Sequence, residues 1–275
     1  MSVEKEDTTD QQPTANDDTD GAGTPKLRAE NLTKQFGRIV AVEDVSLDIQ
    51  SSEVFALVGD NGAGKSTLMN MLSGVHEPSE GQIYKDGKPM NFSNPSEARD
   101  NGIETVYQDL ALMDDLDIAT NIFMGQFPRN GFGPLQLIDW DETYERAEQI
   151  MMDRLGRDLD IKTEVEFLSG GQRQLVAIGR SLAFDPDVII LDEPTSALSV
   201  DATRLVQDTI DTLADQGITI VIVSHNIESV LKHADRIGVL FRGSLVDIKQ
   251  PEETDLEELN ELMTTGTLSS GRLDD

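Results

Sequence analysis

The chain has 275 residues, 37% of them hydrophobic, and a formal net charge of −30 from 22 basic and 52 acidic side chains, which suits one large domain or a domain with a sizeable subdomain. It has no cysteine, which excludes disulfides, thiolate metal sites and cysteine nucleophiles, and its three histidines, His76, His225 and His233, are too scattered for a histidine metal cluster. Such an acidic surface repels nucleic acid and anionic lipid, and it suits a halophile's cytoplasm, where salt near 1 M cuts the Debye length to about 3 Å.

Residues 1–25 are polar and acidic and read as a disordered tail. The acidity is not confined to the ends, because removing residues 1–24 and 252–275 still leaves 37 acids against 20 bases. The start MSVEKEDTTDQQ lacks the basic and apolar segments of a signal peptide, and no run of 18 apolar residues occurs, so the chain is expected in the cytosol unless a partner holds it at a membrane. LRAENLTKQF (27–36) and IVAVEDVSLDI (39–49) have strand patterns, and EVFALVG (53–59) is an apolar run ending in glycine, as in a buried strand. Lys65 to Ser73 reads as a helix, and QIYKDGKPM (82–90) as a hairpin turning at Asp86-Gly87.

The texture changes over residues 109–184, with helical stretches near 118–125, 141–156 and 171–184 separated by loops such as QFPRNGFGP. Strand–helix alternation then returns: a strand at 188–191, a helix from Asp201, a strand at 218–223, a helix from Asn226 and a strand at 236–240. Alternation of this kind builds a parallel sheet with helices on its faces. PEETDLEELNELM near the end is an amphipathic helix with Leu256, Leu259 and Met263 on one side, expected to pack on its own domain.

Three motifs carry chemistry. GDNGAGKST (Gly59, Asp60, Asn61, Gly62, Ala63, Gly64, Lys65, Ser66, Thr67) fits the phosphate-binding loop pattern and lies between a predicted strand and a predicted helix. Its glycines let successive amides face phosphate oxygens, the helix N-terminus adds positive potential, Lys65 reaches the β- and γ-phosphates, and Ser66 offers a hydroxyl to Mg²⁺. In VIILDEPTS, Asp192 and Glu193 end a buried strand, where Asp192 can join the Mg²⁺ shell and Glu193 can polarise water for in-line attack. In LSGGQRQ, Ser169 is a good N-cap, and Gly170 and Gly171 permit close approach of amides to a phosphate.

Taken in that order and spacing, the three motifs resemble ABC-type ATPases over roughly residues 27–250. The resemblance implies an α/β P-loop NTPase core with an antiparallel β subdomain and a helical subdomain inserted at about 109–184. The ATPase domain would span 26–250, and residues 251–275 would form a C-terminal helix and acidic tail. Two subunits would dimerise head to tail, so that Ser169, Gly170 and Gly171 act on the partner's nucleotide while Lys65, Ser66, Asp192 and Glu193 act on their own. Gln108 matches the glutamine that senses Mg²⁺ and faces the permease, and His225 the histidine that contacts the γ-phosphate. Phe36 stands where an aromatic stacks on adenine, with packing in the core as its alternative. His76 and His233 match nothing and read as surface residues. One position departs: Ser196-Ala197-Leu198-Ser199 ends in serine where the family usually has aspartate, which puts the aspartate-mediated cross-talk between the two sites in doubt.

VYQDLALMDDLDIATNIFMG (106–125) and TSALSV (195–200) resemble the ATPases of monosaccharide importers of the ribose/galactose type. Many of those carry two ATPase domains, so a single-domain chain implies a homodimer, with ATP and Mg²⁺ as cofactors. The expected setting is the cytoplasmic face of the membrane, with permease subunits and an extracellular solute-binding protein as partners and no nucleic acid. The rival is a soluble ABC ATPase of another class, for example one of iron–sulfur assembly.

Overall fold

The computed structural model describes residues 23–132 and 135–268. The acidic stretches 1–22 and 269–275, where most of the first tail and the end of the second were expected, lie outside the described residues. Two large sheets dominate the described residues. The first is antiparallel, in the order β2 (Ile39–Ile49), β1 (Leu27–Phe36), β4 (Glu80–Lys85), β5 (Lys88–Met90). The second runs β12 (Ser244–Lys249), β11 (Arg236–Phe241), β3 (Val54–Gly59), β10 (Thr219–Ser224), β9 (Val188–Asp192), β6 (Ile103–Val106), and it is parallel except for the β11–β12 hairpin.

The apolar runs of β3, β9 and β10 follow from burial on both faces of this sheet. Val54, Ala56, Val58, Ile189, Leu191, Ile220 and Ile222 point into one core. Against them pack α5 (Gly170–Leu182), α6 (Val200–Asp215), α7 (Ile227–His233) and α8 (Leu256–Thr265). The alternate residues Phe55, Leu57, Val188, Ile190, Val221 and Val223 point the other way. They meet α1 (Lys65–Leu72) and the inner face of the antiparallel sheet. The two-residue period of a strand thus divides each run between two cores. Helix α8 buries Leu259, Leu262 and Met263, whereas Leu256, expected on its packed side, is 41% exposed.

Between β6 and β9 the chain adds no strand to either large sheet. Helix α2 (Pro95–Asp100) precedes β6, and after β6 the chain forms α3 (Ile118–Ile122) and α4 (Trp140–Gln149), the last continued by a π-helical turn at Ile150–Arg154. Helix 118–125 therefore ends three residues earlier than its pattern suggested. A two-stranded hairpin, β7 (Arg129–Phe132) with β8 (Leu135–Ile138), occupies what the sequence marked only as loop. The Gly/Pro-rich composition around it is turn chemistry, and it concealed four-residue strands too short to show a period.

Candidate nucleotide site

Every strand of the parallel part of the second sheet ends at the same edge, and four loops leaving that edge carry the candidate residues. The loop after β3 holds Asp60 to Gly64, β6 leads to Gln108, β9 ends in Asp192 and Glu193, and β10 is followed by His225. Strand order alone brings together positions more than a hundred residues apart, at the carboxyl edge where such sheets bind ligands. The cleft there is about 540 Å³, and its lining includes Asn61, Gly62, Gly64, Lys65, Ser66, Thr67, Gln108, Asp192 and Glu193.

The loop is built for an anion. Gly64 caps α1 at φ 105°, and a Cβ on it would lie 2.6 Å from the Ala41 carbonyl oxygen, so only glycine fits. Seven of the eight α-helices in the described residues have an N-terminal amide bonded by the side chain of Asn94, Asp117, Asp139, Ser169, Ser199, Asn226 or Asp255. Helix α1 has no such cap. Its first amides are left for a ligand, and phosphate is the group that suits a helix N-terminus.

Lys65 is 8% exposed, and its Nζ donates to the carbonyls of Gly59 at 2.7 Å and Asp60 at 3.2 Å. Burial lowers the Lys65 ammonium below the usual lysine range, against the opposing pull of Glu193, Asp60 and Asp192. Asp192 is its counterpart: burial, together with the neighbouring Glu193, raises its carboxyl, and Lys65 offsets part of that. A desolvated cation beside a desolvated carboxylate is what a highly charged ligand can rebalance.

Glu193 has φ 50°, in the left-handed region that side chains larger than glycine rarely enter. Its amide donates to the Val223 carbonyl at 2.8 Å, and its Oε1 accepts from His225 Nδ1 at 2.7 Å. The carboxylate is thereby held between two loops in the lining of the cleft. Among the described residues no group of three or more His, Asp or Glu side chains could enclose a metal by itself. The donors present are the Ser66 hydroxyl, the Asp192 carboxylate and the Gln108 amide, a set that fits Mg²⁺ completed by water and phosphate oxygens.

Residues 42–196 match the ABC transporter family. This chain belongs to that family. The xylose/arabinose import ATP-binding protein of Sulfolobus acidocaldarius is 42% identical over 247 residues, 90% of this chain and 97% of that one. The ribose import ATP-binding protein of Streptomyces avermitilis is 41% identical over 228 residues, and there the match covers 83% of this chain but 44% of its relative's length. Among solved structures, an ATP-binding cassette of an ABC transporter in its ADP conformation superposes with TM-score 0.74 at 28% identity, over 87% of this chain and 94% of that one. A dimeric bacterial ABC transporter cassette does so with TM-score 0.68 at 26% identity, over 82% and 98%.

The signature residues of this ABC cassette do not line its own cleft. Ser169 and Gly170 are exposed at the start of α5, where Ser169 and Gln172 form a reciprocal capping box. Gly171 is buried, and a Cβ there would fall 2.9 Å from the Cβ of Ala202 on α6. Ser199, the departure from the family's usual aspartate, caps α6 through a bond from the Ala202 amide. Phe36 is 43% exposed and meets His76 edge-on, with Lys34 Nζ 5.3 Å from its ring, so it is not a core residue. Nor are the other two histidines plain surface groups, since His76 is half-buried against Phe36 and His233 is half-buried on Asp211 at 3.0 Å. Sequence reasoning missed part of the lining: Ile39, Val40 and Ala41 from β2, and Arg242 from the β11–β12 turn. The Arg-Gly pair between two strand-like runs was the available signal for that turn.

Proposed function

We propose that this chain binds and hydrolyses ATP as a head-to-tail homodimer and so energises a permease that imports a monosaccharide. The observation that carries the proposal is the convergence of Lys65, Gln108, Asp192 and Glu193 on one cleft around an uncapped α1. Residues 26–250 serve as the ATPase domain, residues near 109–184 as the helical lobe presenting the signature to the partner's nucleotide, and 251–275 as helix and tail. Gly59 to Thr67 cradle the phosphates, and Phe36 stacks on adenine. Ser66, Asp192 and Gln108 hold Mg²⁺, which when bound neutralises charge on the β- and γ-phosphate oxygens. Glu193 orients and deprotonates the attacking water, and His225 fixes Glu193 and faces the γ-phosphate.

Exposure of Ser169 and Gly170 away from their own cleft supports action in trans. The import names of the relatives support a sugar as cargo. Among the described residues no helix is long and apolar enough to cross a membrane, so attachment at the cytoplasmic face would come through permease subunits, with an extracellular binding protein delivering the solute. The proposal is tested by purifying the tagged chain from membranes at molar KCl. A multi-spanning permease should co-elute, and the ATPase rate of the complex should rise with a sugar-loaded binding protein. Recovery of the chain without any membrane protein, or with iron–sulfur assembly proteins, would overturn it.

A further inference from the structure

The β11–β12 turn reaches the nucleotide cleft from the side opposite the chemistry. In the sheet order, β11 flanks β3 on one side, while β10, β9 and β6 lie on the other. The loop after β3 therefore has Gln108, Asp192 and Glu193 on one flank. On the other it has Arg242, together with Ile39, Val40 and Ala41 of β2. With the proposed γ-phosphate chemistry on the flank with the carboxylates, a nucleotide lying across the loop would place its α-phosphate end toward the flank with Arg242.

Arg242 is an unusual choice for its backbone. It has φ 48° and Gly243 φ 91°, two left-handed residues between the paired Phe241 and Ser244. Turns of this form take Asn, Asp or Gly at the first position. The equivalent turn between β4 and β5 in the same chain uses Asp86-Gly87, at φ 50° and 73°. An arginine at φ 48° in a chain with 52 acids and 22 bases points to a use for its side chain.

The turn is also anchored. The Gly243 amide donates to the Ala63 carbonyl inside the phosphate loop at 2.8 Å, and the Glu43 amide of β2 donates to the Gly243 carbonyl at 2.8 Å. The guanidinium lies 4.9 Å from the centroid of the Phe241 ring, and it makes no ion pair among the described residues. With it the lining carries two cations, Lys65 and Arg242, against two carboxylates, Asp192 and Glu193.

We infer that Arg242 is a second phosphate-binding cation of the cleft, pairing with the α-phosphate end of the bound nucleotide. The inference rests on the nucleotide assignment above. Because α-phosphate contacts are the same for substrate and product, Arg242 contributes uniform binding: it lowers KM without touching kcat.

Arg242→Asn tests this without endangering the fold, since asparagine suits the turn better than arginine. Binding of ATP and ADP, each with Mg²⁺, is measured at two KCl concentrations at which the wild type is folded. The expected result is an unchanged or higher melting temperature, an unchanged kcat, and affinity for ATP and ADP weakened by the same factor. That factor should be about fivefold at the lower salt, shrink at the higher, and be largely restored by Arg242→Lys. Affinities equal to wild type, a factor independent of salt, or a fall in kcat at unchanged KM would each overturn the inference. The wild type and Lys65→Ala separate this failure from that of the nucleotide assignment. If the wild type binds ATP and Lys65→Ala does not, while Arg242→Asn binds normally, only the role of Arg242 is lost.

Discussion

Glu193 and Asp192 are adjacent carboxylates in different surroundings, and the proposal gives them different tasks. Glu193 is held at φ 50° with one oxygen on His225, so its side chain is oriented before any substrate arrives. Glu193→Gln keeps that shape but cannot act as a base. It should bind ATP, abolish turnover and accumulate an ATP-bound dimer, as read by size-exclusion chromatography at high salt; a monomer or near wild-type turnover would refute the assignment. Asp192 is the costly member of the pair, because burial raises its folded-state pKa above the ordinary aspartate value. A carboxyl raised in this way contributes stability while protonated, at low pH, and loses that contribution as pH rises through its folded pKa. At neutral pH without nucleotide, Asp192→Asn should therefore raise the melting temperature, by about 2 °C for a chain of this size, and the gain should vanish in acid. Activity should be lost at every pH.

At the scale of elements, the segment following Gln108 packs Leu110 and Leu112 against the core and is also tied to α3 and α5 by polar groups. Asn121 of α3 has no exposed surface. Its amide nitrogen donates to the carbonyls of Met113, Leu116 and Asp117, and its Oδ1 accepts from the Met113 amide at 2.8 Å. Arg180 of α5 adds bonds to the carbonyls of Asn121, Leu110 and Ala111. Truncating Asn121 to alanine orphans these backbone groups inside the protein and should cost about 3 kcal/mol, read from urea unfolding at constant salt. Ser199 makes a smaller contribution of a different kind. Ser199→Ala removes the cap of α6 and should cost about 1 kcal/mol, whereas Ser199→Asp, the family's usual residue, is also a good cap and should leave stability within about 0.5 kcal/mol. Asn121 gave little signal in sequence, because a buried asparagine looks like an ordinary polar position until its partners are known, and Ser199 stood out only as a departure from the family's usual aspartate, with its capping role unseen.

Across the whole molecule, charge is the dominant unexplained demand on stability. The chain carries −30, and the exposed pairs that oppose it, such as Lys26 with Asp86 at 3.1 Å, are each worth under about 1 kcal/mol. Short-range pairs strengthen as salt falls, but long-range repulsion among an excess of acids strengthens more. We therefore propose adaptation to molar salt. The melting temperature and the proposed ATP-dependent dimer should both decline as KCl falls from about 1 M to about 0.1 M, where the Debye length grows to roughly 10 Å. A melting temperature constant over that range would remove the proposal.

The sequence by itself determined the strands with continuous apolar runs, the helices that follow them and the residues of the phosphate loop, because each depends on local period and local chemistry. It also placed Asp192 and Glu193 at a strand end, since a buried run must stop where carboxylates begin. Only the tertiary structure decided that Gln108 and Glu193 share one cleft and that Glu193 bonds His225, because strand order is set by packing between segments far apart in the chain. The left-handed backbone at Glu193 and Arg242 was equally hidden, since both residue types ordinarily avoid it and only the surrounding contacts impose it. The sides of the cleft follow the same rule: β11 and β9 emerge on opposite flanks of the phosphate loop, which puts Arg242 on one flank and the carboxylates on the other.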